Sequence, residues 1–150
     1  MGIERKKGKS IKLIILCMTA MLMLSACGNR PTNEEQVLAV FEEQKELVCK
    51  KIADYNAGDE VEWDDLEGVI QVYTYSDGVI EFRCIAYGIL TASVEAGFYY
   101  SPDDEPDNIT GWLHGELVED GDGYSYSDGT DNRYYTKRIC ENFYYYTVAN

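Results

Sequence analysis

The chain has 150 residues, with 13 Lys and Arg against 27 Asp and Glu, a formal net charge of −14 and 45% hydrophobic residues. So much acid repels nucleic acid and anionic membrane surfaces, which argues against both as surface ligands and leaves cationic molecules as the attracted class: a basic protein, a polycation or a divalent metal. A chain of this length builds one hydrophobic core and not two.

The charge is unevenly placed. Arg5, Lys6, Lys7, Lys9 and Lys12 precede an apolar run from Leu13 to Leu24 that only Thr19 interrupts. Such a run is a signal-peptide core, too short to span a bilayer as a finished helix. Losing residues 1 to 26 takes five basic residues and the acid Glu4, which leaves 8 basic against 26 acidic and a net charge near −18.

Leu24-Ser25-Ala26-Cys27 closes that leader. A cysteine thiolate is the nucleophile able to form a stable thioether, and small Ser25 and Ala26 fit a narrow protease subsite. The tetrad resembles the lipobox of bacterial lipoproteins, a resemblance confined to the leader and its junction. It implies lipidation of Cys27, cleavage between Ala26 and Cys27, and a mature protein held on the cell membrane facing the extracytoplasmic side. One acyl chain at about 0.8 kcal/mol per buried methylene holds only marginally, so the two-chain lipid is what makes such an anchor stable. Cys17 sits inside the apolar run and is lost with the leader. The division expected is a signal peptide over 1–26, a tether over 27–32 and a single α+β domain over 33–150.

Thr32-x-x-Glu35 reads as a capping box. Behind it Val37, Phe41, Gln44, Val48, Ile52 and Tyr55 recur at helical spacing, flanked by Val40 and Leu47, and Asn56-Ala57-Gly58 ends the pattern. One amphipathic helix is expected from about 33 to 56, its apolar face in the core.

From Val69 onward the chain is rich in Val, Ile, Tyr and Phe, as strands are. Tyr75-Ser76-Asp77-Gly78-Val79 is a hairpin signal, and a two-residue Asp77-Gly78 turn sets Tyr75 against Ile80, Tyr73 against Phe82, Gln71 against Cys84 and Val69 against Ala86. Those pairs are expected on the core face, with Thr74, Glu81 and Arg83 on a solvated one. Further strands are expected at 94–100, 110–118, 123–127 and 133–148, with 101–108 an irregular exposed loop. Tyr73-Thr-Tyr-Ser-Asp-Gly78 recurs as Tyr124-Ser-Tyr-Ser-Asp-Gly129, read as the same turn chemistry reused. The fold class expected is α+β, one N-terminal helix on an antiparallel meander of about five strands. That order of elements is similar to the cystatin-like group of folds, in element order only and with no motif behind it.

No catalytic, cofactor-binding or metal site is assigned. His114 is the lone histidine, and strand alternation in Trp112-Leu-His-Gly-Glu116 sets Trp112, His114 and Glu116 on one face, where an acid–base pair for a small envelope enzyme is the alternative reading. Asp103-Asp-Glu-Pro-Asp-Asn108, and Asp120-Gly-Asp-Gly123 with Asp128-Gly-Thr-Asp-Asn132, offer calcium hard oxygens on tight turns, yet neither follows the EF-hand order. Cys49, Cys84 and Cys140 survive cleavage without a CxxC, so buried thiols with at most one bridge are expected, Cys84 to Cys140 being the pair preferred because both lie in strands. Thirteen tyrosines include Tyr99-Tyr100, Tyr134-Tyr135 and Tyr144-Tyr145-Tyr146. Neighbouring strand residues point to opposite faces, so each run places a ring outside a one-sided core. The function these features favour is a membrane-anchored, non-enzymatic binding module, whose acidic, tyrosine-bearing surface meets a basic protein, peptide or cell-wall component.

Overall fold

A computed structural model of the protein describes residues 32–89, 92–107, 109, 116–127, 129 and 132–149. The leader, Cys27, Trp112 and His114 lie outside the described residues. The architecture is α+β, a long helix packed on an antiparallel sheet.

Helix α1, Glu34–Asn56, buries Val37, Phe41, Val48 and Ile52, the stripe its sequence spacing specifies. Its start lies one residue beyond the expected box. Asn33 is the N-cap, its side chain accepting the Gln36 amide at 3.0 Å, while Gln36 Oε1 reaches back to the Thr32 amide at 2.7 Å. Asn outranks Thr as a cap, and Asn33-x-x-Gln36 fits the same pattern as Thr32-x-x-Glu35. At the other end the Asp59 amide bonds the Asp54 carbonyl and the Gly58 amide bonds that of Tyr55, a Schellman closure with Gly58 at φ 89°. Among the described residues no helix is long and apolar enough to cross a membrane.

Seven strands follow, not about five: β1 Gln71–Thr74, β2 Ile80–Ile89, β3 Ala92–Tyr100, β4 Val118–Asp120, β5 Gly123–Ser127, β6 Arg133–Cys140 and β7 Phe143–Ala149. Their order in the sheet is β1-β2-β3-β7-β6-β5-β4, two antiparallel meanders joined where β3 pairs with β7. The long strand expected over 133–148 is a hairpin. It reverses at Glu141 and Asn142, where Asn142 takes φ 64°, a left-handed conformation that Asn tolerates better than most residues.

The first hairpin is slipped by one residue from expectation. Val72 opposes Phe82, Tyr73 opposes Glu81 and Thr74 opposes Ile80, because the connection has three residues, Ser76-Asp77-Gly78. The Tyr75 amide bonds the Val79 carbonyl, the Gly78 amide turns back to Tyr75, and Asp77 Oδ1 takes the Val79 amide. Gly78 at φ 89° supplies the left-handed residue that this longer loop requires. Since side chains alternate with period two, the slip moves Tyr73 and Tyr75 to the face opposite the helix. The second Ser-Asp-Gly, at 127–129, does not repeat this turn: Ser127 opposes Arg133 across a longer loop.

Both faces of the sheet are covered. On the helix side Ile80, Phe82, Cys84, Ile85, Ala96, Phe98, Phe143 and Tyr145 join Phe41, Val48 and Ile52 in one core. Ile85, expected on the polar face, reaches this core because a bulge between Arg83 and Ile85 shifts the alternation. On the far side Val79, Tyr99, Tyr134, Tyr144, Tyr146 and Val148 form a second core with Ile109.

Candidate functional site

The far-side core explains the tyrosines, and it corrects the expectation of a tyrosine-bearing surface. Tyr99, Tyr134, Tyr144, Tyr145 and Tyr146 are buried, and of the thirteen only Tyr87 is exposed, at 59%. The hydroxyls of Tyr99, Tyr134 and Tyr144 pin the connection that follows β3, at Asp104 and Asp107. The Asp107 amide donates to the Tyr99 hydroxyl at 2.9 Å, Tyr134 donates to the Asp107 carbonyl at 2.6 Å, and Tyr144 donates to the Asp104 carbonyl at 2.7 Å. A ring that fills a core and a hydroxyl that satisfies a loop backbone are what covering a sheet with irregular chain demands.

Within this layer sits the one fully buried carboxylate among the described residues. Glu81 is 2% exposed, although strand alternation had assigned it to solvent. Tyr75 donates to its Oε2 at 2.7 Å, while Tyr146 and Arg83 Nε donate to its Oε1, Arg83 at 3.1 Å. Arg83 spans on to Glu95 at 3.1 Å and stacks over the Tyr73 ring at 4.7 Å. Burial, then the hydrogen bond and charge of Glu81, push the Tyr75 hydroxyl well above its ordinary range, and the same influences act on Tyr146. Burial opposes the Arg83 charge, but Glu81, Tyr146 and Glu95 outweigh it and keep the guanidinium firmly protonated. Both Glu81 oxygens and the Tyr75 and Tyr146 hydroxyls have partners inside the protein, which marks a structural network. The signal in the sequence was the pairing of Glu81 and Arg83 at i, i+2 between tyrosine-rich strands.

The sequence-level candidates are not brought together. Glu116 is exposed, while Trp112 and His114 lie outside the described residues, so no acid–base geometry accompanies them. In the first acidic cluster Asp104 spends its carboxylate on the Asn142 amide, at 2.7 Å, and on Arg138. In the second, Asp122 takes the Tyr135 hydroxyl at 2.6 Å and pairs with Lys137, which hold its carboxyl below the usual range; Asp128 and Asp131 lie outside the described residues. Among the described residues no three His, Cys, Asp or Glu side chains converge as a metal requires.

What remains outward is acid. Glu35, Glu42, Glu43 and Glu46 line the outer side of α1, and Asp59, Glu60, Glu62, Asp64, Asp65 and Glu67 crowd the segment after it. That segment is strapped down by Leu66, by Trp63 edge-on to Phe82 at 5.7 Å, and by Lys51, which pairs with Asp65 at 2.8 Å. Most of the described cations are engaged: Lys51, Arg83, Lys137 and Arg138 are ion-paired and Lys45 lies over the Phe41 ring, while Lys50 and Arg133 are exposed. A crevice of about 370 Å³ opens between α1 and the β6–β7 turn, with Cys49, Ile52 and Asn56 on one wall and Tyr100, Asn142 and Phe143 on the other.

No protein-family model, no curated protein and no solved structure matches this chain. The likeness to cystatin-like folds thus stays one of element order, and the seven-stranded, two-meander sheet departs from it.

Proposed function

We propose that the chain is a lipoprotein of the cell envelope, anchored through lipid on Cys27, and that its domain over 33–150 is a non-enzymatic binding module for a cationic partner: a basic protein, a peptide or a cell-wall component. The observation that carries this reading is the separation of charge. Among the described residues Lys51, Arg83, Lys137 and Arg138 are engaged in ion pairs and only Lys50 and Arg133 stand exposed outside such pairs, while carboxylates occupy the outer face of α1 and the 59–67 segment. A surface arranged so attracts positive charge and accelerates its encounter, and ordinary salt screens that attraction over about 10 Å. With most of the tyrosines packed into the two cores and Tyr87 exposed, the acid supplies most of the recognition surface.

Two measurements test this proposal separately. Mass spectrometry of the membrane-bound protein is expected to find residues 1 to 26 absent and Cys27 lipid-modified, with Cys27→Ala released or unprocessed; a normally processed, membrane-bound Ala variant refutes the anchor. Retention of envelope proteins on the immobilised domain at low and moderate salt is expected to yield a basic partner that salt releases. A partner indifferent to salt, or none at all, refutes the electrostatic module.

A further inference from the structure

Two of the three cysteines in the folded part, Cys49 and Cys140, lie at the seam between helix and sheet as free thiols. Cys140 is the cross-strand partner of Phe143, and directly opposed residues place their side chains on the same face. Phe143 lies in the helix-side core with its ring 5.0 Å from that of Phe41, and Cys140 packs against the same core. Cys49 approaches from the helix: it follows buried Val48 and lines the crevice together with Glu141, Asn142 and Phe143, the turn that Cys140 begins. Burial raises the Cys49 thiol, Lys45 one turn earlier lowers it, and Cys140 raises it again. Cys84 stands apart. It is 1% exposed, its thiol donates to the Phe82 carbonyl, and burial pushes it up to about 12. All three are free thiols in the structure, so the pair preferred from sequence, Cys84 with Cys140, is not formed.

We propose that Cys49 and Cys140 form a dithiol that closes to a disulfide, stapling the C-terminal half of α1 to the β6–β7 hairpin. The oxidant is another disulfide, small or protein-borne. The Cys49 thiolate, the more exposed of the two, attacks one sulfur of that donor, forms a mixed disulfide and expels one donor thiolate. The Cys140 thiolate then attacks the Cys49 sulfur and expels the second. The two cysteines give up two protons and two electrons, and the donor disulfide leaves as two thiols. The bridge closes a long stretch of chain, from the helix to the penultimate strand, and so constrains the unfolded state strongly. The chemistry is independent of the proposed partner and of the anchor.

The test uses the full chain, reduced, freed of reductant and incubated with oxidised glutathione, then unfolded in an alkylating agent and mapped by peptide mass spectrometry. Cys49 and Cys140 are expected in one cross-linked peptide pair with Cys84 alkylated, and the melting temperature is expected to rise by several degrees and to return on reduction. In Cys140→Ser, Cys49 is expected to stop at the glutathione mixed disulfide. Alkylation of Cys49 and Cys140 as well as Cys84 in the wild-type chain, a bridge from either cysteine to any other, or a bridged protein with an unchanged melting temperature overturns the proposal.

Discussion

Replacing Glu81 by glutamine removes one negative charge from the far-side core and almost no volume. The carboxylate receives three donors: Tyr146 and Arg83 on Oε1, and Tyr75 on Oε2. Glutamine keeps an acceptor for the first two but sets an NH₂ group against Tyr75, whose hydroxyl must turn over to accept. A hydrogen bond to a charged group contributes about 1.5–3 kcal/mol against about 1 for a neutral one. Weakening three such bonds, with Arg83 left to Glu95 alone, therefore costs about 2–4 kcal/mol. Glu81→Ala, which strands Arg83 beside two unpartnered tyrosines, costs about 3–5 kcal/mol. Urea unfolding followed by circular dichroism measures both. Tyr146→Phe on its own should cost about 1.5–3 kcal/mol, and combined with Glu81→Gln should cost less than the sum by about 1 kcal/mol or more, because the two share one bond. A loss below about 0.5 kcal/mol for Glu81→Gln, the range of ordinary surface changes, or strict additivity in the double variant refutes the network.

Other outcomes follow from the same packing. Phe82, fully buried and stacked on Phe98 at 4.9 Å, should cost about 3–5 kcal/mol when cut to alanine, and an unchanged urea midpoint would contradict its place in the core. Gly97→Ala brings a Cβ to 2.1 Å from the Phe82 carbonyl, a backbone atom that cannot step aside, so the variant should fail to fold or lose the β2–β3 register, read as lost amide protection along both strands. Tyr99, Tyr134, Tyr144 and Tyr146 are all raised, burial first among the causes and Tyr144 to about 12, whereas an unfolded tyrosine titrates near 10. Above pH of about 10 the unfolded chain binds fewer protons than the folded one, so this contribution is whole below 10 and is lost as pH climbs toward 12. Tyrosinate absorbance should therefore appear together with loss of far-UV dichroism, and tyrosines that ionise at their ordinary pH in a still-folded protein would contradict their burial.

The helix was legible in the sequence because a 3.6-residue stripe and a glycine stop are local signals. Its start was missed by one residue because two overlapping capping boxes, Thr32 with Glu35 and Asn33 with Gln36, differ by too little for local rules to separate. The sheet was read correctly on β2, whose alternation of Ile80, Phe82 and Cys84 faces the helix. It failed on β1, where the choice between a two- and a three-residue loop decides every facing residue and the local sequence suits both. The larger miss came from assuming one covered face. A half-exposed sheet needs alternation, and Tyr144-Tyr145-Tyr146 violates it; the violation is itself the mark of a sheet buried on both sides. The burial of Glu81 was missed through the same assumption, and the Tyr146 that helps satisfy it is distant in sequence, so no local pattern names it.

Where the acid sits says what it is for. The sheet ends at β1 and β4, strands of four and three residues, and Glu119 and Asp120 on exposed β4 guard an edge against pairing with another chain, so their charge has a structural use. Among the helix acids Glu34 pairs with Lys137 and Glu35 suits the first turn, whereas Glu42, Glu43 and Glu46 show no such use. Glu42 and Glu46 stand at i, i+4, which costs a few tenths of a kcal/mol, and the last turn of α1 has no basic residue while Asp59 and Glu60 follow it, against the helix dipole. On the proposed reading that charge serves a cationic partner, and two effects of opposite sign follow. Raising sodium chloride from low to moderate concentration should relieve the repulsion and raise the melting temperature, while the same change releases the cationic partner. Charge-neutralising Glu42→Gln, Glu43→Gln and Glu46→Gln together should likewise stabilise the protein and weaken retention of that partner on it. If the triple variant is less stable than the parent, or binds no worse, the helix face is not the surface the partner meets.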